Sequence, residues 1–153
     1  MLNRFKNLKI VKTLKQQLSP KLRWLNFMNH NMDKSSPDYV KRVGVVSKLN
    51  SPAMLESANR VLRILKEDSK KQVNKNLFRE PAEAMLLEQI NTLTDDMDYE
   101  AYLKQLEEIN PSVEKFFNDV LVMDKDENVK ENRLALLTLL KSKYNRLADF
   151  SKL

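Results

Sequence analysis

Apolar side chains recur along this chain at intervals of three and four, the spacing that lines one face of an α-helix. Phe5, Leu8, Val11, Leu14 and Leu18 form the first stripe, and Leu22, Leu25, Met28 and Met32 the second. Val40, Val43, Val46 and Leu49 follow, then Leu55, Ala58, Leu62 and Leu65, then Leu86, Leu87, Ile90 and Leu93. A further helix is predicted from Tyr99, capped by Asp98, with Leu103, Leu106 and Ile109 inward, and another after Pro111 with Val113, Phe116, Phe117 and Val120. The last stripe is the longest: Val129, Leu136, Leu137, Leu140, Tyr144 and Leu147, with Asp124 and Glu127 spaced as a capping box. Trp24, Phe116, Phe117 and Tyr144 fall on or beside stripes and are expected to pack, as are Met85, Met97 and Met123.

Proline punctuates the series. It is tolerated at a first helical position, where its missing N–H has no partner to lose, and Ser or Asn just before it can cap the new helix. Ser19-Pro20, Ser36-Pro37, Ser51-Pro52, Glu80-Pro81 and Asn110-Pro111 each precede a stripe, so five prolines predict five helix starts. The pattern gives an all-α fold, an antiparallel bundle of about six to eight helices. It divides into a basic amphipathic helical arm, residues 1–35, and a helical domain, residues 36–153.

Composition narrows the chemistry. The 153 residues include no cysteine, which removes disulfides, thiolate metal sites and thiol nucleophiles together. A single glycine, Gly44, excludes the glycine-rich loops that bring backbone amides against a nucleotide phosphate. The one histidine, His30, cannot build a His-rich metal site, and no nucleophile, base and oxyanion donor form a set. Asp95-Asp96 and Glu107-Glu108 are adjacent pairs, which on a helix point about 100° apart and cannot face one substrate together. No catalytic residue, metal or cofactor is expected, and no apolar run reaches the roughly 18 residues of a membrane span.

Charge is uneven. Residues 1–48 hold eleven Lys or Arg against Asp33 and Asp38 only, and residues 1–30 have no acid. Three readings compete for that arm: a grip on phosphates or an anionic membrane surface, an organelle transit peptide, or a helix packed on the domain with its lysines in water. Lysine dominates where transit peptides favour Arg and Ser. Farther on, Arg60, Arg63 and Lys66 at i, i+3 and i+6 make one basic edge, and Lys141, Lys143 and Arg146 a second; such edges suit a polyanion or are simply solvated. Phe78, flanked by Lys75, Asn76 and Arg79, either stacks on an unpaired base or plugs the core. Arg133, four after Val129 and three before Leu136, falls on the buried stripe. It calls for a structural ion pair, with Glu83 or Asp119 as candidate partners, or for a ligand.

One stretch is more specific. Phe116-Phe117-Asn118-Asp119-Val120-Leu121-Val122-Met123, then Asn132-Arg133-Leu134-Ala135-Leu136-Leu137, then Arg146-Leu147-Ala148-Asp149-Phe150-Ser151, resembles the C-terminal end of the bacterial glycyl-tRNA synthetase beta subunit. That family reads F-F-D-x-V-M-V-M, N-R-L-A-L-L and R-V-A-D-I-S at similar spacing. Upstream, Ser57 to Leu65 is similar to its A-x-K-R-V-x-N-I-L and Leu77 to Glu83 to its L-x-E-P-A-E, so the resemblance runs from about Asp38 to Leu153. It departs at Asn59, where the family has Lys, and at Arg63, where the family has Asn. Residues 1–30 match nothing in it, and the family's beta subunit is much longer than this chain.

The resemblance implies an anticodon-binding domain of the DALR type found in arginyl-tRNA synthetase, contacting the anticodon arm of the glycine tRNA isoacceptors. Ligation chemistry belongs to the family's alpha subunit, so glycine, ATP and magnesium are not expected here. The implied partners are tRNA, the rest of a beta subunit and its alpha subunit, in the cytoplasm. Arg60, Arg63, Lys66, Phe78, Arg79, Lys141, Lys143 and Arg146 are the expected RNA-binding residues, with Arg133 structural. The rivals are a helical protein-interaction module derived from that domain without tRNA specificity, and a membrane-associated adaptor acting through the N-terminal helix.

Overall fold

The computed structural model describes residues 37–148, so the arm at 1–35, including Trp24, His30 and the Pro20 start, lies outside the described residues. Among those described are five α-helices and no strand: α1 (Pro37–Ser47), α2 (Pro52–Ile64), α3 (Pro81–Ile90), α4 (Tyr99–Asp119) and α5 (Glu127–Leu147), with a short 3-10 turn, Lys75–Leu77, before α3. The described residues have the expected all-α fold, with one helix fewer than their own stripes predict. α4 is the axis, packing against all four other helices, and α5 lies against α2, α3 and α4.

The helix starts follow local chemistry. Ser51 Oγ accepts the Met54 N–H and Pro52 opens α2 behind it. The Glu83 carboxylate reaches back to the Glu80 N–H at 2.9 Å at the head of α3. Asp98 accepts the Ala101 N–H at 2.8 Å and opens α4. The α5 cap is Asp126, accepting from Asn128 and Val129, rather than the expected Asp124, which accepts the Asp126 N–H and so shapes the turn before the cap.

Pro111 does not start a helix. It sits inside α4, which runs unbroken from Tyr99 to Asp119. The reason is phase: Leu103, Leu106, Ile109, Val113 and Phe116 keep one helical face across the proline, and all five are buried. Ending the helix at Asn110 would turn that face away from the core, and each large side chain there contributes roughly 1.5–3 kcal/mol by burial.

On α2 the buried line is Met54, Ser57, Ala58, Val61 and then Leu65, with Leu55 and Leu62 flanking it half-buried, one position round from the expected stripe. On α1, Val46 is buried but Val40 is 60% exposed, because the first turn of α1 projects past the core. Met97 packs against the core, whereas Met85 and Met123 are exposed and fill nothing. No helix among the described residues is long and apolar enough to cross a membrane.

Candidate nucleic-acid interface

α2 turns its buried line toward α4 and leaves Arg60 and Arg63 on the outer face, both exposed. Lys66 is exposed too, but it lies past the helix end at Ile64, so it begins the following loop rather than extending a helical edge. The Arg60 guanidinium sits 4.6 Å from the centre of the Phe117 ring, which meets Phe116 edge to face. That contact holds Arg60 against α4 while its donors stay wet. A shallow groove beside it is lined by Glu56, Ser57, Arg60, Glu114, Phe117 and Asn118. Its two glutamates make the start of α2 a mixed surface, and positive charge dominates only from Arg63 onward.

The second basic edge is built differently. Lys141 Nζ pairs with Asp68 at 2.7 Å, and Lys143 Nζ donates to the Leu93 carbonyl at 3.3 Å. Arg146 donates to the carbonyls of Asp95 and Met97 at 2.8 and 2.9 Å, and its guanidinium lies 4.4 Å from the Tyr102 ring and 5.4 Å from that of Tyr99. Tyr102 donates its hydroxyl to the Lys143 carbonyl at 2.6 Å, and burial outweighs the nearby Arg146 charge to push that hydroxyl up to about 12. All three cations are half-buried and bound within the chain, fastening the turn after α3 and the loop before it onto α5.

Phe78 is half-buried and packs against the core. Arg79 is exposed and pairs with Asp126 at 2.7 Å. Asp126 is held below the ordinary carboxylate range by the Val129 and Asn128 N–H groups and by Arg79.

Beneath them lies the buried polar centre. Arg133 Nε donates to Glu83 Oε1 at 2.9 Å, its Nη1 donates to the Leu121 carbonyl at 2.6 Å and meets Asp124 at 3.3 Å. Burial pushes the Glu83 carboxyl up, but the Arg133 hydrogen bond, the Glu80 and Arg79 backbone N–H groups and the Arg133 charge together bring it below its ordinary value. Asp119, the other candidate partner for Arg133, pairs instead with Lys115. Among the described residues no group of three or more His, Cys, Asp or Glu is placed to hold a metal ion.

Sequence reasoning passed over Asn132. It is buried, and it exchanges two hydrogen bonds with the backbone of Asn74, a residue in a loop that carries no helical period and so gave no stripe to read. The only signal was its place beside Arg133 in the Asn-Arg run.

Four helices packed around a long central one, with Arg60 and Arg63 exposed on one flank, make the described residues an all-helical domain. Residues 54–145 match the DALR anticodon binding domain, and the chain belongs to that family. It is also similar to the glycine–tRNA ligase beta subunit of Psychromonas ingrahamii, 35% identical over 130 residues that cover 76% of this chain and 19% of that protein. The beta subunit of Thermodesulfovibrio yellowstonii is 36% identical over 125 residues, covering 74% and 18%, and that of Desulforapulum autotrophicum 38% over 104, covering 61% and 15%. The chain thus spans less than a fifth of the length of these curated relatives.

Proposed function

We propose that this chain is a non-catalytic tRNA-binding domain that recognises the anticodon arm of glycine tRNA, as part of a cytoplasmic glycyl-tRNA synthetase beta subunit working with an alpha subunit. The observation that carries the reading is the DALR match over residues 54–145, joined to relatives named as glycine–tRNA ligase beta subunits. The surface supports it. Arg60, Arg63 and Lys66 are exposed and can neutralise phosphates, which positions the RNA without reading its sequence.

Arg79 is the best-placed reader of bases, because its partner Asp126 is exposed and such a pair is held by little free energy, about 0–1 kcal/mol. Phe78 offers only the part of its ring that the core leaves uncovered. Lys141, Lys143 and Arg146 support the scaffold in this reading, since each would have to release an internal partner to reach RNA.

The test is a titration of the chain against glycine tRNA and a non-cognate tRNA at two salt concentrations, repeated with the glycine anticodon loop altered. Binding that prefers glycine tRNA and is lost when the loop is altered supports the proposal. Equal, salt-abolished binding to every RNA removes anticodon recognition. No binding at all removes the tRNA reading and leaves the protein-interaction module, which Leu121 and Met123 favour by standing 67% and 61% exposed beside α5.

A further inference from the structure

Residues 65–80 connect α2 to α3, with one 3-10 turn as their only regular structure. Connectors this long are uncommon in compact domains and are usually functional or disordered. This one is fastened. Asp68 binds Lys141 Nζ at 2.7 Å, the Ser69 N–H donates to Thr138 Oγ1 at 2.9 Å, and Arg79 binds Asp126 at 2.7 Å. Between them the Asn74 N–H donates to Asn132 Oδ1 at 2.7 Å and Asn132 Nδ2 donates back to the Asn74 carbonyl at 2.9 Å. The connector partners advance as 68, 69, 74 and 79 while their partners on α5 and its cap fall back as 141, 138, 132 and 126, so the connector is a strap laid antiparallel along α5.

What the strap displays is positive. Residues 66–79 hold five Lys or Arg and two acids, and one of those acids, Asp68, is taken up by Lys141. Lys70, Lys71 and Lys75 are exposed and form no ion pair among the described residues. The strap begins with the exposed Lys66, three residues after the exposed Arg63 on α2, so along the chain it follows that basic edge directly. Its fixed backbone also lowers the ordering cost of binding, since a loop already held in place has less freedom to lose.

We propose that the strap is a second phosphate-gripping surface, on which Lys70, Lys71 and Lys75 contact the RNA backbone while Asn132 and Thr138 act as positioning residues beneath them. The inference rests on the tRNA-binding reading. Compact ammonium charges on a fixed backbone suit phosphates, which carry no sequence information, so the strap adds affinity and salt dependence rather than preference among tRNAs.

The experiment compares the full chain with a Lys70→Gln, Lys71→Gln, Lys75→Gln triple variant and with a control triple of exposed lysines away from the strap, Lys41→Gln, Lys48→Gln, Lys104→Gln. Of the control lysines, Lys41 is on α1, Lys48 in the turn that follows it and Lys104 on α4, all exposed. Each protein is titrated with a glycine tRNA transcript across a salt series, after thermal melts have shown the three to be equally folded. The strap triple is expected to flatten the slope of log K against log salt by about 2 and to weaken binding on the order of 10- to 100-fold at 0.1 M salt, with the control unchanged. Equal losses from both triples would show a general charge effect and overturn the strap. An unchanged strap triple beside a binding wild type would overturn it while leaving the tRNA reading intact, and a wild type that binds no tRNA overturns both.

Discussion

Arg133 and Glu83, fifty residues apart in sequence, form a buried ion pair at 2.9 Å that locks α5 to the head of α3. Their side chains are 4% and 0% exposed. The pair joins the Asn-Arg run of α5 to the Glu-Pro-Ala-Glu run of α3, and the same guanidinium reaches the Leu121 carbonyl and Asp124 in the turn before α5. One side chain therefore fixes three segments.

A buried ion pair is costly to break because the surviving charge keeps its desolvation penalty. Glu83→Gln should destabilise the chain by about 3–5 kcal/mol, read as a lower urea midpoint. Glu83→Leu with Arg133→Leu should recover part of that loss, since neither of the two fully buried charges is then stranded, and Asp124 keeps some contact with water. A single variant within 1 kcal/mol of wild type would show that the pair does not hold α3 to α5.

The same pair sets a pH dependence. The folded Glu83 carboxyl releases its proton more readily than the unfolded one, whose ordinary value is near 4.5. Between the two values the unfolded state holds more protons, so stability rises with pH. The contribution is whole above the ordinary value and is lost as pH falls through the lower folded one. Asp126 acts in the same direction, but it is solvent-screened and its share is small. Urea midpoints taken down an acid series should fall more steeply for wild type than for Glu83→Gln, and parallel curves would remove Glu83 as the source.

The parts of this fold that were legible in the sequence are those that repeat. The α3, α4 and α5 stripes read off the chain as the buried faces they form, and Asp98, Ser51 and the Glu80-Pro81 start lie where their residue types place them. What could not be read depends on neighbours. Val40 has the right spacing, yet none of the described residues covers it. Lys141, Lys143 and Arg146 look like a free edge until tertiary contacts supply their acceptors. The strap has no period at all, so only its α5 partners reveal that it has one fixed course.

Arg146 shows what such an acceptor is worth. Its planar fork donates to two carbonyls of the turn after α3 while its face lies against Tyr102. A lysine can satisfy neither geometry as well, because its ammonium is a point charge with no plane to stack. Arg146→Lys should therefore cost on the order of 1–2 kcal/mol of stability although charge is kept. A denaturation midpoint equal to wild type would return Arg146 to the pool of free cations and to the candidates for RNA contact.

Pro111 offers the converse case, a residue whose removal should help. It stands exposed inside α4, where its missing N–H leaves the Glu107 carbonyl without its helical donor and its ring presses on that carbonyl. An interior proline is roughly 3 kcal/mol less favourable than alanine. Two terms reduce the gain: the unfolded chain becomes freer by about 0.4–1 kcal/mol on losing the ring, and the helix has already settled around it. Pro111→Ala should thus raise stability by about 1–2 kcal/mol, seen as a higher urea midpoint with an unchanged slope. A loss of stability would mean that the helix geometry the proline imposes is needed to seat Val113 and Phe116, both fully buried, against their neighbours. The core would then depend on the proline as well as override it.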